Sequence, residues 1–384
     1  MAQNGCVGVI IGNRGFFPSF LAVEGRKEIL SLLESKGIKA IIAPAEATQH
    51  GAVTSYEDAQ LYGKLFRDHA EEIDGIIISL PNFGDEKSIA QTIRFSGLNV
   101  PVLVQAYPDD LTKLDLANRR DSFCGKFSAC ANLRQYGIDF SLTDLHTVDP
   151  KSEAFARELD WFMGVCRVTK GLRNCRVGAV GARPADFDTV RYSEKILEAN
   201  RISVEPIDLF DLFGKVNKLG EDDPAVQEKL GALRGYCNIA GVPDHALMRM
   251  ARFAAALSAW VESKDLDCIA LQCWSAIEEN YGITPCAVMS MMSNSLIPAA
   301  CEVDVTGALS MYALQLANGT PATILDWNNN YGPEPDKCIL FHCSNAPKVF
   351  FDDMKMSAKD ILADLVGREN RYCTCVGRFS PMPV

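Results

Sequence analysis

No stretch of the 384-residue sequence supplies the 18 or more uncharged apolar residues of a membrane-spanning helix. No run of lysine and arginine is present either, and carboxylates outnumber basic groups 49 to 38. That surplus disfavours nucleic acid and anionic membranes as partners. The first residues, from Met1 to Gly15, have neither a basic region nor a long apolar core, so a signal peptide is not expected. The fourteen cysteines then read as reduced thiols of a cytoplasmic protein rather than a disulfide scaffold. Gly12-Asn13-Arg14-Gly15 lacks the third glycine of a dinucleotide loop, and no P-loop, HExxH or GxSxG occurs. Nucleotide-dependent and serine-hydrolase chemistry are therefore unsupported. Cys373-Thr374-Cys375 is too closely spaced for a zinc knuckle. Cys338, His342 and Cys343 lie on one extended run whose alternation points them to different faces, so structural zinc is not expected there.

What the sequence does contain is a repeated alternation of short apolar runs and longer amphipathic ones. Strands are expected at Val7–Ile11, Ile38–Ala43, Gly75–Leu80 and Val100–Val104, with helices at Glu24–Lys36, Tyr56–Ile73 and Glu86–Phe95. The strands are apolar throughout, as in a parallel sheet covered on both faces. The pattern restarts with strands at Cys175–Val180, Ile202–Ile207 and Leu266–Gln272. Helices are expected at Thr189–Asn200, Asp223–Tyr236, His245–Ser263 and Thr284–Ser293. From Pro298 onward the texture changes to shorter runs, Ala322–Leu325, Cys338–Phe341 and Tyr372–Val376, separated by turn residues. The expected architecture is α/β: two doubly wound, Rossmann-like parallel-sheet domains, residues 1–160 and 161–297, and then a β-rich part, 298–384. In such sheets ligands bind beyond the carboxyl ends of strands. Attention therefore falls on Gly12–Phe17, Pro81–Glu86, Gln105–Asp110, Gly181–Asp188 and Gln272–Glu279.

The densest polar cluster in an apolar setting lies between Ala299 and Ser344. Glu302 and Asp304, two apart, share a face if the segment is extended. Asp326 closes the run Ala322–Leu325, and His342 sits in Cys338–Ser344. Acids and an imidazole at strand ends are costly to bury unless paired or metal-bound. Two carboxylates with a histidine suit a divalent cation such as Mn²⁺ or Mg²⁺. The competing reading makes Glu302 and Asp304 caps of a helix starting near Val305, Asp326 an Asx-turn, and His342 a satisfied core residue. Glu278 and Glu279 read as a solvated helix face.

The segments Leu271-Gln272-Cys273-Trp274, Cys301-Glu302-Val303-Asp304, Gly319-Thr320-Pro321, Asp326-Trp327 and Phe341-His342 resemble the L-fucose isomerase / L-arabinose isomerase family. The resemblance implies that Glu302 and Asp326 bind Mn²⁺ (or Mg²⁺ or Co²⁺). The same two acids would act as the acid–base pair of an aldose–ketose isomerisation through a cis-enediol, with His342 as a further metal ligand. It also implies a sugar substrate and a homo-oligomer, trimer or hexamer, with sites built across interfaces. Candidate sugar contacts are Gln272, Trp274, Asn328, Asn329 and Tyr331, with Trp274 or Trp327 stacking on the ring and Arg14 reaching a neighbouring subunit. The family's C-terminal metal-binding histidine has no counterpart after His342, so either a truncated form of a longer protein or an incomplete metal site that binds without catalysis is expected. Two other readings stand beside this one. The first is a non-catalytic cytoplasmic sugar-binding or regulatory protein with the same fold. The second is an isomerase of a deoxy, sulfonated or otherwise acidic sugar, with Arg14, Arg183 and Lys126 as anion partners.

Overall fold

The computed structural model describes residues 5–342, 345–358 and 366–381. It divides into two compact units, Met1–Lys170 and Gly171–Val384. The first runs β1 (Cys6–Ile11), α1 (Ser19–Ser35), β2 (Lys39–Ile41), α2 (Tyr56–Asp68), β3 (Gly75–Leu80), α3 (Glu86–Ser96), β4 (Val102–Ala106), α4 (Ser122–Gln135), β5 (Ser141–Leu142) and α5 (Glu153–Leu172). Its five strands form one parallel sheet in the order β2-β1-β3-β4-β5. Every residue of β1, β3 and β4 is buried, because helices cover both faces. Ile10, Ile76 and Val104 pack with α2 to α4 on one side, and Val9, Ile77 and Leu103 with α1 and α5 on the other.

The second unit contains β6 (Arg176–Val180), α6 (Glu194–Ala199), β7 (Ser203–Ile207), α7 (Leu209–Val216), α8 (Pro224–Tyr236), α9 (Asp244–Ser263), β8 (Cys268–Leu271), α10 (Ala276–Tyr281), α11 (Cys286–Asn294), β9 (Ala299–Cys301) and α12 (Val305–Asn318). Its parallel sheet is ordered β7-β6-β8-β9. Two antiparallel pairs follow: β10 (Asp326–Tyr331) with β11 (Glu334–Phe341), and β12 (Phe351–Ala358) with β13 (Tyr372–Phe379). The β12–β13 ribbon gives Met354, Met356, Cys373 and Cys375 to the core built around α9. All residues of β10 and β11 are exposed. The protein is thus α/β, with two parallel sheets and antiparallel pairs near its C-terminus. No helix among the described residues is long and apolar enough to cross a membrane.

Three expectations differ from the structure. Residues 322–325 form no strand, because Ala322 and Ile324 pack into the core beside α12. Asp326 therefore opens a strand and does not close one. The segment at Glu302 is not extended: Glu302 (φ +63°) and Val303 (φ +55°) are both left-handed, so Glu302 and Asp304 do not share a strand face.

Candidate active site

In the second unit β8 and β9 lie side by side, with Leu271 registered against Cys301. Their carboxyl ends therefore deliver Gln272 and Cys273 from one strand and Cys301 and Glu302 from the other to one place. One donor atom each of Cys273, Cys301 and Glu302 falls within 4.8 Å of the other two, the thiols being buried and the carboxylate half-buried. The left-handed backbone at Glu302 turns the chain sharply off the sheet edge. For a non-glycine residue that conformation costs of order 1 kcal/mol, and for branched Val303 it is more unusual still. Asp304 takes the other role open to it. Its Oδ1 accepts from Gly307 N (2.8 Å) and Thr306 Oγ1 (3.0 Å), capping α12, which starts at Val305.

His342 extends this cluster. Its Nε2 lies 2.8 Å from Cys301 Sγ and its Nδ1 lies 3.3 Å from Asp326 Oδ2. The imidazole is 6% exposed and the Asp326 side chain 66% exposed, so the ring bridges a buried thiol and a solvated carboxylate. The order in space is Glu302 and Cys273 beside Cys301, then His342, then Asp326. The donor group that meets within 4.8 Å is Cys273, Cys301 and Glu302, and His342 and Asp326 follow from it in series through Cys301. Carboxylate and imidazole donors of this kind, with a second carboxylate orienting the ring, fit a divalent cation.

The candidate sugar contacts divide into two groups. Gln272 is drawn into the fold: its Oε1 accepts from Ala182 N (2.9 Å) and its Nε2 donates to Trp274 O (3.2 Å). It ties the loop after β6 to the loop after β8, and Gly181 (φ +81°) leaves room for its side chain. Trp274 is half-buried and meets Phe187 edge-on. Asn328, Asn329 and Tyr331 lie along the exposed hairpin with Trp327, which is 86% exposed. Glu279 is solvated and accepts from Ser275 Oγ, but Glu278 is buried, so the pair is not one solvated face. Adjacent helical residues point roughly 100° apart, which is how one of them turns inward.

The basic candidates already have partners. Arg14 pairs with Glu86, donates to Gly84 O (3.0 Å) and stacks over Phe83. Arg183 donates to Pro184 O and lies 3.4 Å from Asp188. Lys126 is buried and donates to Thr143 Oγ1 (2.7 Å), and burial pulls its pKa down to about 8. An anion recruiting Arg14 has to displace Glu86.

The thiols of Cys273 and Cys301 were not anticipated. Both stand inside the segments that carry the resemblance, next to Gln272 and Glu302, and that adjacency was the only available signal. The sulfur beside His342 is Cys301; Cys338 is exposed, and Cys343 and Ser344 lie outside the described residues.

Residues 8–173 match the family model described as Fucose/sulfoquinovose isomerase, N-terminal domain. The sulfoquinovose isomerase of Priestia aryabhattai is 24% identical over 310 residues, covering 79% of this chain and 65% of that protein. That of Clostridium sp. (strain MSTE9) is 28% identical over 206 residues, covering 53% and 45%. That of Alkalicoccus urumqiensis is 22% identical over 305 residues, covering 76% and 63%. The chain thus spans between 45% and 65% of the length of these curated relatives. Residues 8–173 are thus similar to the N-terminal domain of fucose/sulfoquinovose isomerases, and the chain is similar to sulfoquinovose isomerases.

Proposed function

We propose that the protein is an aldose–ketose isomerase acting on an open-chain sugar through a cis-enediol(ate). The observation that carries this reading is the series of contacts that runs from Glu302 and Cys301 at the carboxyl edge of the second parallel sheet through His342 to Asp326. The named activity of the relatives points the same way.

The chemistry needs a base within reach of C1 and C2 and a second group for the oxygens. Glu302, fixed by its left-handed turn, takes the proton from one carbon and returns it to the other. Asp326, hydrogen-bonded to His342 Nδ1 and open to solvent, exchanges protons with the sugar oxygens. Glu302 and His342, with Asp326 beside them, would hold a divalent cation of the Mn²⁺, Mg²⁺ or Co²⁺ type. Such a cation supplies electrophilic stabilisation of the charge that develops on the sugar. Trp327, Asn328 and Tyr331 stand exposed on the strand that Asp326 opens and are available to a sugar.

For the substrate class we propose a sulfonated aldose, after the sulfoquinovose isomerases that the chain resembles. The chain is incubated with a divalent cation and a panel of neutral and sulfonated aldoses, and ketose is measured. Turnover is expected, greatest with a sulfonated sugar. Glu302→Gln is expected to lower it by roughly 10²–10⁴-fold with an unchanged melting temperature. Parent-like turnover in Glu302→Gln removes the assignment of the base. Tight sugar binding with no ketose from any aldose replaces the enzyme by a binding protein.

A further inference from the structure

We propose that Cys237 and Cys375 form a reversible redox site, in which hydrogen peroxide oxidises Cys237 and Cys375 resolves the product into a disulfide. That bond ties the end of α8 to the β12–β13 ribbon. It uses none of the residues assigned to sugar chemistry, and the inference does not rest on the isomerase reading.

Three segments bring the two sulfurs together. Helix α8 ends at Tyr236, and Cys237 leaves it in an extended conformation (φ −155°, ψ −177°). Asn238 then pairs in parallel with Lys355 of β12, and Met356 N donates to Asn238 O (2.7 Å). Met356 is in turn registered against Cys375 of β13. Across this junction the Cys375 S–H donates to the Cys237 sulfur. Tyr236 anchors the same place: its hydroxyl meets Ser290 Oγ of α11 (2.8 Å) and accepts from Lys348 N (3.0 Å).

Two touching thiols alone would be ordinary packing, because cysteine is a small apolar side chain. These two are unequal. Cys237 is half-buried, whereas Cys375 is 1% exposed. The Cys375 hydrogen bond, the charge of Lys348 and the Met356 N–H hold the Cys237 thiol below its ordinary pKa, against its partial burial. The same hydrogen bond, with burial, keeps Cys375 protonated. A reactive cysteine is a thiolate that solvent can reach in an electropositive setting, and Cys237 meets those conditions. A thiol beside it is what turns a sulfenic acid into a disulfide. Cys175 and Cys268 also adjoin, but at 1% and 0% exposure both are closed to an oxidant.

The Cys237 thiolate attacks one oxygen of hydrogen peroxide; an S–O bond forms, the O–O bond breaks and hydroxide leaves. The Cys375 sulfur then attacks the sulfenyl sulfur. An S–S bond forms, the S–O bond breaks, and the departing hydroxyl takes the Cys375 proton as water. The proton first released by Cys237 neutralises the hydroxide. Peroxide is thereby reduced to two waters, and the two thiols are oxidised by two electrons. A dithiol reductant returns the pair to its starting form by exchange.

The test treats the reduced full chain with one equivalent of hydrogen peroxide and maps its peptides after alkylation with iodoacetamide. A Cys237–Cys375 cross-link is expected, and dithiothreitol should remove it. The oxidised chain should melt at a higher temperature than the reduced one, because the bond closes a long loop in the unfolded state. Cys375→Ser should stop at the sulfenic acid, with dimedone labelling Cys237; Cys375→Ala repeats this without a buried hydroxyl. Cys237→Ser should lose both the dimedone label and the rise in melting temperature. Cys124→Ser, at an exposed position of α4, should change neither. Circular dichroism establishes that each variant is folded, and the cross-link itself is read in the parent chain. Recovery of Cys237 and Cys375 as alkylated thiols after peroxide overturns the proposal. So does a dimedone label that appears on Cys375 and not on Cys237.

Discussion

The two parallel sheets have the same kind of carboxyl edge, and the chain finishes them in opposite ways. Each strand order places a switch point, between β1 and β3 in the first unit and between β6 and β8 in the second. In the first unit the polar groups there answer one another. Asn82 donates to Asn13 Oδ1 (2.7 Å), its own Oδ1 accepts from Arg14 N and Gly84 N, and the Arg14 guanidinium is held by Glu86. The left-handed position in that loop is a glycine, Gly84 (φ +77°). Beyond β8 and β9 of the second unit the left-handed positions are Glu302 and Val303, and the donors gathered there are thiols, carboxylate and imidazole. Glycine makes a turn cheap. Spending a glutamate and a valine on one is what a reacting site does, where strain holds a side chain in place.

The sharpest way to break this contrast is to give the second edge the residue used in the first. Glu302→Gly is expected to match Glu302→Gln in abolishing turnover, by roughly 10²–10⁴-fold, yet to stabilise the fold by about 1 kcal/mol as the strain is relieved. Both are read from ketose formation and a urea titration of the same preparations. A destabilised, still active Glu302→Gly would mean the turn is ordinary packing.

The converse substitution belongs in the first unit. Asn82 is fully buried, and Asn82→Ala leaves the Asn13 carbonyl and two backbone N–H groups without their partner. The cost is expected to be about 1–3 kcal/mol, with metal content and turnover per folded molecule unchanged. A stable Asn82→Ala with lost turnover would move chemistry to the first edge.

A smaller effect, of opposite sign, is expected at Lys126. Burial is the main cause of its depressed pKa, opposed by Cys130 and Glu158, and takes it from 10.5 to about 8. Between about pH 8 and 10.5 the unfolded chain binds more protons at this residue than the folded one, so stability rises with pH across that window. Lys126→Met should flatten this rise and stabilise the protein at neutral pH by roughly 1–2 kcal/mol, measured as urea midpoints across the range. An unchanged pH profile would show the ammonium to be solvated.

The parallel sheets were legible because strands buried on both faces are apolar throughout; the run Gly75–Leu80 is β3 to the residue. Ends were less so. Helix α1 starts at Ser19 and not Glu24, since Leu21 and Ala22 bury its first turn, and α2 stops at Asp68 and not Ile73. Ala322–Leu325 misled because an apolar run reports burial and not backbone conformation. At the site, Glu302, Asp326 and His342 were visible by residue type. Cys273 and Cys301 were not, because they become neighbours only through the register of β8 against β9. Alternation along Cys338–His342 answered the zinc question for one strand, whereas the sulfur that meets His342 comes from another.

The hairpin beside the second edge sets the lower limit of the contrast. Trp327 follows Asp326 and is 86% exposed, and Tyr331, Ile339, Leu340 and Phe341 are more than two-fifths exposed. The β12–β13 ribbon, of similar length, sends methionines and cysteines into the core. A side chain in contact with so little has little to lose, so Trp327→Ser is expected to change stability by less than about 0.5 kcal/mol. Its effect should fall on the sugar: KM rises, while metal content and melting temperature stay at parental values, because a tryptophan face next to Asp326 binds without touching the fold. The equivalent truncation in the ribbon, Met356→Ala, removes a buried side chain and should cost about 2–5 kcal/mol. If Trp327→Ser instead approached that cost, the tryptophan would be packed against another part of the assembled protein, and the second edge would be as closed as the first.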